Sequence, residues 1–257
     1  MVNPTPSGDA ASPPSSPASP RQDVVYRLYL KLQALAEKQF AGSLAGRLVL
    51  CMGFQLSGAE LALATTIAGG VFLGIDPNPE ALKAAVRNGS CDFMVNTLDE
   101  ALRVLKNELR KHTPLAAGLL GNVDETLAAI VERGVQPDCI ANTTPIQHPP
   151  LEMLAANGAQ LFTIPEPAVA PHQVTWTAAN PQDMRRMDQI ALDALAEEDQ
   201  VRRRWLEQAP GNFHRQTPLQ RVIDLLPEER AHLLKAWAAN TAARTFQADV
   251  EIHWNNT

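Results

Sequence analysis

The sequence is short of the features that build disulfide frameworks, metal centres, membrane spans or nucleic-acid interfaces. Only three cysteines, Cys51, Cys91 and Cys139, occur in 257 residues. They are widely separated and odd in number. Two lie inside apolar, strand-like runs and Cys91 lies just before one, which suits buried thiols rather than a disulfide. The expected compartment is therefore the reducing cytoplasm. His112, His148, His172, His214, His232 and His253 have no ligand-like spacing, so no metal site is expected. No apolar run approaches the roughly 20 residues of a membrane span, and the basic and apolar regions of a secretory signal are missing at the start. The net charge of −6, with a pI near 5.5, argues against a nucleic-acid partner.

The chain is organised around Arg47-Leu-Val-Leu-Cys-Met-Gly-Phe-Gln-Leu-Ser-Gly-Ala-Glu60, which reads as a buried strand, a glycine-marked turn and the start of a helix. Residues 1–21 hold six of the twenty prolines and read as a disordered tail. From Asp23 to Phe40, Val24, Val25, Leu28, Leu32, Leu35 and Ala36 recur at helical spacing. Strands are expected at Leu48–Met52, Val71–Ile75, Phe93–Val95, Leu115–Leu120, Cys139–Ala141 and Gln160–Ile164. Helices are expected after each of the first four strands, and a long polar loop, Asn142 to Pro150, after the fifth. Asp76-Pro-Asn-Pro79 and the capping box Thr97-Leu-Asp-Glu100 mark two helix starts. Strands without polar alternation are buried on both faces, so the expected fold is α/β: a Rossmann-like parallel sheet with helices on both faces. Residues 22–165 would form this domain and 166–257 a helical C-terminal extension packed on it. In the extension, 165–182 reads as a connection, Asp183–Leu206 as one long charged helix, Pro227–Ala243 as another, and Thr245–Trp254 as a terminal strand. The run Arg202-Arg-Arg204 reads as a solvated helix face.

Right-handed crossovers place all strand carboxyl ends along one edge, where α/β proteins bind ligands. That edge collects Gly53 to Gly58, Asp76, Gly121-Asn122 and the loop Asn142 to Pro150. Gly53 and Gly58 occupy the first and third glycine positions of a dinucleotide fingerprint, with Gln55 at the middle one. Asp76 ends the second strand, where an acid can accept bonds from a ribose or can cap the helix that follows. Asn122 can contact a ribose or nicotinamide, or can cap its own helix toward Glu125. His148 is the histidine on the crevice, either a solvated loop residue or a catalytic acid–base group.

These residues resemble the urocanase (urocanate hydratase) family. Leu44-Ala-Gly-Arg-Leu-Val-Leu50 resembles the entry into its Rossmann-type domain, and Gly53 to Gly69 follows its glycine-rich segment without a gap. Arg87-Asn-Gly-Ser-Cys-Asp92 fits an Arg-x-Gly-x-x-Asp pattern. Gly118-Leu-Leu-Gly-Asn122 followed by Arg133-Gly-Val-Gln-Pro-Asp138 is the most specific match. Asn180-Pro-Gln-Asp183, Asp188-Gln189, Asn240-Thr-Ala-Ala243 and Ile252-His253 are similar to later elements. The resemblance implies NAD as cofactor, with the nicotinamide acting as an electrophile while water is added across a double bond of an imidazolyl substrate. By position it implies Gly53, Gln55, Leu56, Ser57 and Gly58 at the phosphates, and Asp76 at the ribose. Gly121, Asn122 and Val123 would flank the cofactor, with Thr143, Thr144 and Gln147 on the nicotinamide side.

The sequence also departs from that family. Its loop Asp-Gln-Thr-Ser-Ala-His-Asp-Pro is here Asn142-Thr-Thr-Pro-Ile-Gln-His-Pro149. An arginine beyond the ribose acid is Ala81, the closing glycine-rich stretch is Asn255-Asn-Thr, and no cysteine follows Cys139 to stand for the catalytic one. The expectation is an NAD-binding core without hydratase activity. The alternatives are an active NAD-using hydratase or lyase in which His148 serves as the acid–base group, and a non-catalytic interaction protein with an empty crevice. The expected partners are a small-molecule ligand and a second copy of the chain, with no nucleic acid and no membrane.

Overall fold

The structure, a computed structural model, describes residues 21–54, 57–142, 148–162, 164, 172–214 and 218–254. The leading helix α1 (Gln22–Gln39) is followed by an alternating series: β1 (Leu48–Met52), α2 (Gly58–Ile67), β2 (Val71–Asp76), α3 (Pro79–Arg87), β3 (Phe93–Val95), α4 (Leu98–Lys111), β4 (Leu115–Leu120), α5 (Val123–Glu132), β5 (Cys139–Asn142), α6 (Pro149–Ala156) and β6 (Gln160–Phe162). Among the described residues the six strands form one parallel sheet in the order β3-β4-β2-β1-β5-β6. The chain leaves β1 toward β2 on one side and returns to β5 on the other, so the switch point of the topology lies between β1 and β5. Every residue of β1 and β2 is buried, as continuous apolar runs covered on two faces require.

The faces are filled by alternate residues of the strands. Val49, Cys51, Phe72 and Ala116 pack with α1, α2 and α3, while Leu50, Leu73, Ile75 and Leu119 pack with α4, α5 and α6. Local signals set the helix starts as read: Asn78, Thr97 and Asn122 accept the amides of Glu80, Glu100 and Glu125. The loop reading of Asn142–Pro150 is corrected at its end. Pro149 and Pro150 begin α6, since proline tolerates the first turn of a helix.

The extension contains α7 (Pro181–Ala194), α8 (Gln200–Asn212) and α9 (Pro227–Ala242). It also contains an antiparallel sheet ordered β8-β7-β9, from β7 (Gln173–Ala178), β8 (Leu219–Asp224) and β9 (Val250–Trp254). β9 falls within the expected terminal strand. β7 occupies part of the stretch read as connection, and its alternation buries Val174, Trp176 and Ala178. The single helix expected over Asp183–Leu206 is two helices. Leu195 turns extended, and Asp199 caps α8 by accepting the Arg202 amide at 3.0 Å. The arginine run is only partly a solvated face: Arg204 is exposed, while Arg202 and Arg203 are half-buried. Arg202 holds Glu229 with two hydrogen bonds, Arg203 donates to the Leu192 carbonyl and Arg204 to the Ala68 carbonyl.

One apolar cluster spans both parts of the chain. Trp205 of α8 lies 4.9 Å from Tyr26 and 5.6 Å from Tyr29 of α1, ring to ring, and its indole donates to the Val222 carbonyl. Two segments that resembled the family act as fasteners here. Asp183 accepts the amides of Gln247 and Ala248 ahead of β9, and Asp188 pairs with Arg221 of β8 at 2.9 Å, both nearly inaccessible.

Candidate functional site

Register brings the strand carboxyl ends level. Met52 pairs with Ile75 and with Asn142, and Asp76 pairs with Leu120. The turns after β1, β2, β4 and β5 therefore share one edge, as the topology of the sequence implied. Gln55, Leu56, Thr143, Thr144 and Gln147 lie outside the described residues.

The turn after β1 is held from beneath. Gly53 has φ +88 and donates its amide to the Ile75 carbonyl at 2.8 Å. A Cβ on Gly58 would stand 2.2 Å from the Gly53 carbonyl oxygen, so only glycine lets α2 start this close to the strand. Phe54 folds its ring back over the sheet. A Cβ on Gly74 would stand 2.2 Å from that ring, and Phe72 meets it edge-on with centroids 5.8 Å apart. The two strand glycines Gly74 and Gly118 are the sequence signal for this packing, because a bare backbone there leaves room for a ring.

Asp76 is not the cap of the helix that follows. Its carboxylate is 3% exposed, accepting the Phe54 amide at 2.7 Å through one oxygen and the Asn78 amide at 2.8 Å through the other. The helix cap is Asn78, and the acid instead ties the first turn to the second. Asn122 is a helix cap, accepting from Glu125 at 3.1 Å; Gly121 donates to the Asp76 carbonyl, and Val123 opens α5 half-buried.

The first turn of α2 lacks a side-chain cap. Ser57, at φ +78, is its N-cap and makes no side-chain capping bond. The amides of Gly58, Ala59 and Glu60 have no acceptor within the helix, by helix geometry. Together with the positive end of the helix dipole they favour negative charge at this end of the helix. Glu60 in the same turn is the one opposing charge.

His148 is not solvated. It is 5% exposed at the N-cap of α6, and its Nδ1 lies 2.6 Å from Asp124 Oδ1 at the start of α5. An ionised carboxylate only accepts, so in this contact Nδ1–H is the donor. Asp124 was not visible as a partner, being 24 residues away with no spacing rule to link them. Among the described residues no group of three His, Cys, Asp or Glu could hold a metal ion.

Residues 21–165 match the family model of the urocanase Rossmann-like domain. Solved structures similar to the chain include an O-methyltransferase from Bacillus cereus in complex with SAH, at 14% identity over 79% of this chain and 73% of that one, TM-score 0.29. The plantazolicin methyltransferase BpumL in complex with SAH is 10% identical over 91% of this chain and 83% of that one, TM-score 0.33. The E. coli tRNA N6-threonylcarbamoyladenosine dehydratase is 14% identical over 83% and 96%, TM-score 0.28. Superpositions this loose carry no weight for ligand or activity.

Proposed function

The chain belongs to the urocanase family through its Rossmann-like domain, and on that basis we propose that it binds NAD at the carboxyl edge of the sheet without performing the family's hydration. The observation that carries the reading is the uncapped start of α2 above Gly53 and Gly58. There the amides of Gly58, Ala59 and Glu60, with the Ser57 turn, would hold the pyrophosphate. Asn122 and Val123 would border the cofactor, and Gln55, Leu56, Thr143, Thr144 and Gln147 complete the proposed contact set. Asp76 would serve by fixing the Phe54 turn, since its carboxylate already takes two backbone amides. Cys51, Cys91 and Cys139 are all buried, so none of the three offers an accessible thiol for catalysis. The reading includes a cytoplasmic location and a homodimer, the latter open to light scattering.

The test is a thermal melt with and without NAD, with ADP-ribose in a parallel series. Ligand at 100 times its dissociation constant stabilises by about 2.7 kcal/mol. A saturable rise with both compounds supports the reading. No rise at millimolar NAD, together with no cofactor in the purified protein, overturns it.

A second reading rests on the His148–Asp124 pair. Bound NAD would supply an electrophilic nicotinamide to an imidazole-like substrate. Asp124 would orient the His148 ring, and a proton would be moved at Nε2. Loss of urocanate absorbance with the NAD-loaded protein, abolished in His148→Gln, supports this reading. Unchanged absorbance over hours refutes it for that substrate.

A further inference from the structure

The antiparallel sheet of the extension has two edges, and they are finished differently. At the β8 edge the outward backbone groups are taken by side chains. The Gln220 carbonyl accepts from Gln22, the Val222 carbonyl from the Trp205 indole at 2.7 Å and the Asp224 carbonyl from Arg202 at 2.9 Å. The Asp224 amide donates to the Tyr26 hydroxyl at 3.1 Å. A bare row of such groups is a template for another strand, and here α1 and α8 close it.

β9 lacks that closure. Among the described residues it pairs with β7 alone. In an antiparallel ladder alternate residues turn their amides and carbonyls toward the partner. Gln220, Val222 and Asp224 turn away from β7, so Thr175 and Thr177 opposite them turn to the other side, toward His253 and Glu251. Val250, Ile252 and Trp254 therefore direct their amides and carbonyls to the open edge. The Val250 carbonyl takes the Trp237 indole there at 3.2 Å, as this alternation requires, and keeps a second lone pair.

The sequence of β9 is complementary to itself. Run antiparallel about Ile252, Val250-Glu-Ile-His-Trp254 sets Glu251 opposite His253 of a second copy, twice across the axis, and Val250 opposite Trp254. Glu251 and His253 are both exposed on one face of the strand. Val250 and Trp254 lie on the other face, and Trp254 is 38% exposed. Acid–base and aromatic–β-branched pairs are the ones that stabilise neighbouring strands. A register centred on Glu251 would set acid against acid, and one centred on His253 would set ring against ring and pair fewer residues. The edge strands of the parallel sheet, Phe93-Met-Val95 and Gln160-Leu-Phe162, are three residues each and offer no acid–base match.

We propose that β9 is the surface on which two copies of this chain join, antiparallel about a two-fold axis at Ile252. The product is one continuous sheet of six strands, three from each copy. This gives the homodimer of the proposed function its interface, and it rests on that part of the reading and not on NAD.

The experiment is sedimentation velocity on the full chain from about 1 to 500 μM, because a single strand pair is a small interface of the weak, concentration-dependent class. The expected result is a reversible monomer–dimer equilibrium. Hydrogen exchange at the Ile252 amide should slow as the dimer forms. Ile252→Pro removes the outward amide at the axis, and proline is accepted on an edge strand where that amide faces solvent. His253→Glu sets carboxylates against each other across the axis and should weaken association about tenfold. Adding Glu251→Lys restores opposite charges and should recover the dimer. Both positions are exposed, so the melts of these two variants should stay close to the parent's. A chain monomeric throughout overturns this surface and the homodimer together. A dimer unmoved by both Ile252→Pro and His253→Glu overturns the surface and leaves the homodimer standing. A double variant that associates no better than His253→Glu overturns the register about Ile252.

Discussion

The Asp76 carboxylate takes the backbone amide of Phe54 at 2.7 Å across 22 residues of sequence. The glycine turn after β1 is thereby fastened to the end of β2, and the Phe54 ring is laid over Gly74. The geometry of the proposed phosphate cradle follows from that bond rather than from the glycines alone.

Asp76→Ala should therefore cost stability and ligand response together. A buried amide left without its acceptor costs about 1–3 kcal/mol. The melt should fall by the corresponding amount, and any NAD-induced rise should shrink. Asp76→Asn keeps one acceptor oxygen and should fall between the two. An unchanged melt for the alanine variant would refute the fastening role.

Gly58→Ala tests the contact between strand and helix. Its Cβ would meet a backbone oxygen at 2.2 Å, which no rotamer relieves. A loss of about 1–3 kcal/mol is expected from overpacking, read by denaturant unfolding. Ala59→Gly, one residue on, lacks that contact and should cost about 1 kcal/mol or less.

The buried pair Asp188–Arg221 predicts non-additivity. Burial raises the Asp188 carboxyl above its ordinary range, against the lowering by the Arg221 guanidinium. Breaking the pair by Arg221→Met leaves a buried charge and should cost about 3–5 kcal/mol. The double variant Asp188→Leu, Arg221→Met should recover most of that loss. A double variant no more stable than the single one would contradict this account.

Asp183 predicts an acid limb. Burial raises its carboxyl, but the Gln247 amide, the Asn180 side chain and the Ala248 amide outweigh this and leave it below the ordinary carboxylate value. With the folded value lowered, the unfolded chain binds the proton more tightly. Its contribution is therefore complete above the unfolded value and is lost as pH falls through the folded one. Asp183→Asn should melt below the parent at pH 7, and the gap should narrow in the range beneath the ordinary carboxylate value. A gap constant with pH would remove the charge from the explanation.

The thiols should be inert in the native state. Burial, with Asp138 adding to it, pushes Cys139 up to about 12, and burial likewise raises Cys91 well above the ordinary range. Alkylation at pH 8 should be slow until denaturant is added, because only the thiolate reacts. Rapid labelling of Cys91 or Cys139 in the folded protein would be incompatible with their burial.

The parallel sheet was legible in the sequence because β1 and β2 are uninterrupted apolar runs and because Thr97, Asn122 and the Pro77-Asn-Pro79 segment announce helix starts within four residues. Those signals are local. β7 was not legible, since its Val174-Thr-Trp-Thr-Ala178 alternation follows a stretch rich in proline and alanine that outweighs it. β8 was passed over too, its Arg221 hidden in the pairing with Asp188.

What the sequence determined by itself was the order of the strands and helices from α1 to β5 and the edge on which those strands end, because periodicity and caps act over one or two turns of chain. Only the tertiary structure decided what the polar residues on that edge do. Asp76 could have capped a helix, and instead it fastens the first turn by accepting the Phe54 amide at 2.7 Å. His148 could have stood in solvent, and instead it is buried with its Nδ1 2.6 Å from Asp124 on another helix. A carboxylate takes its role from the nearest donors, and in both cases more than 20 residues of chain separate the partners.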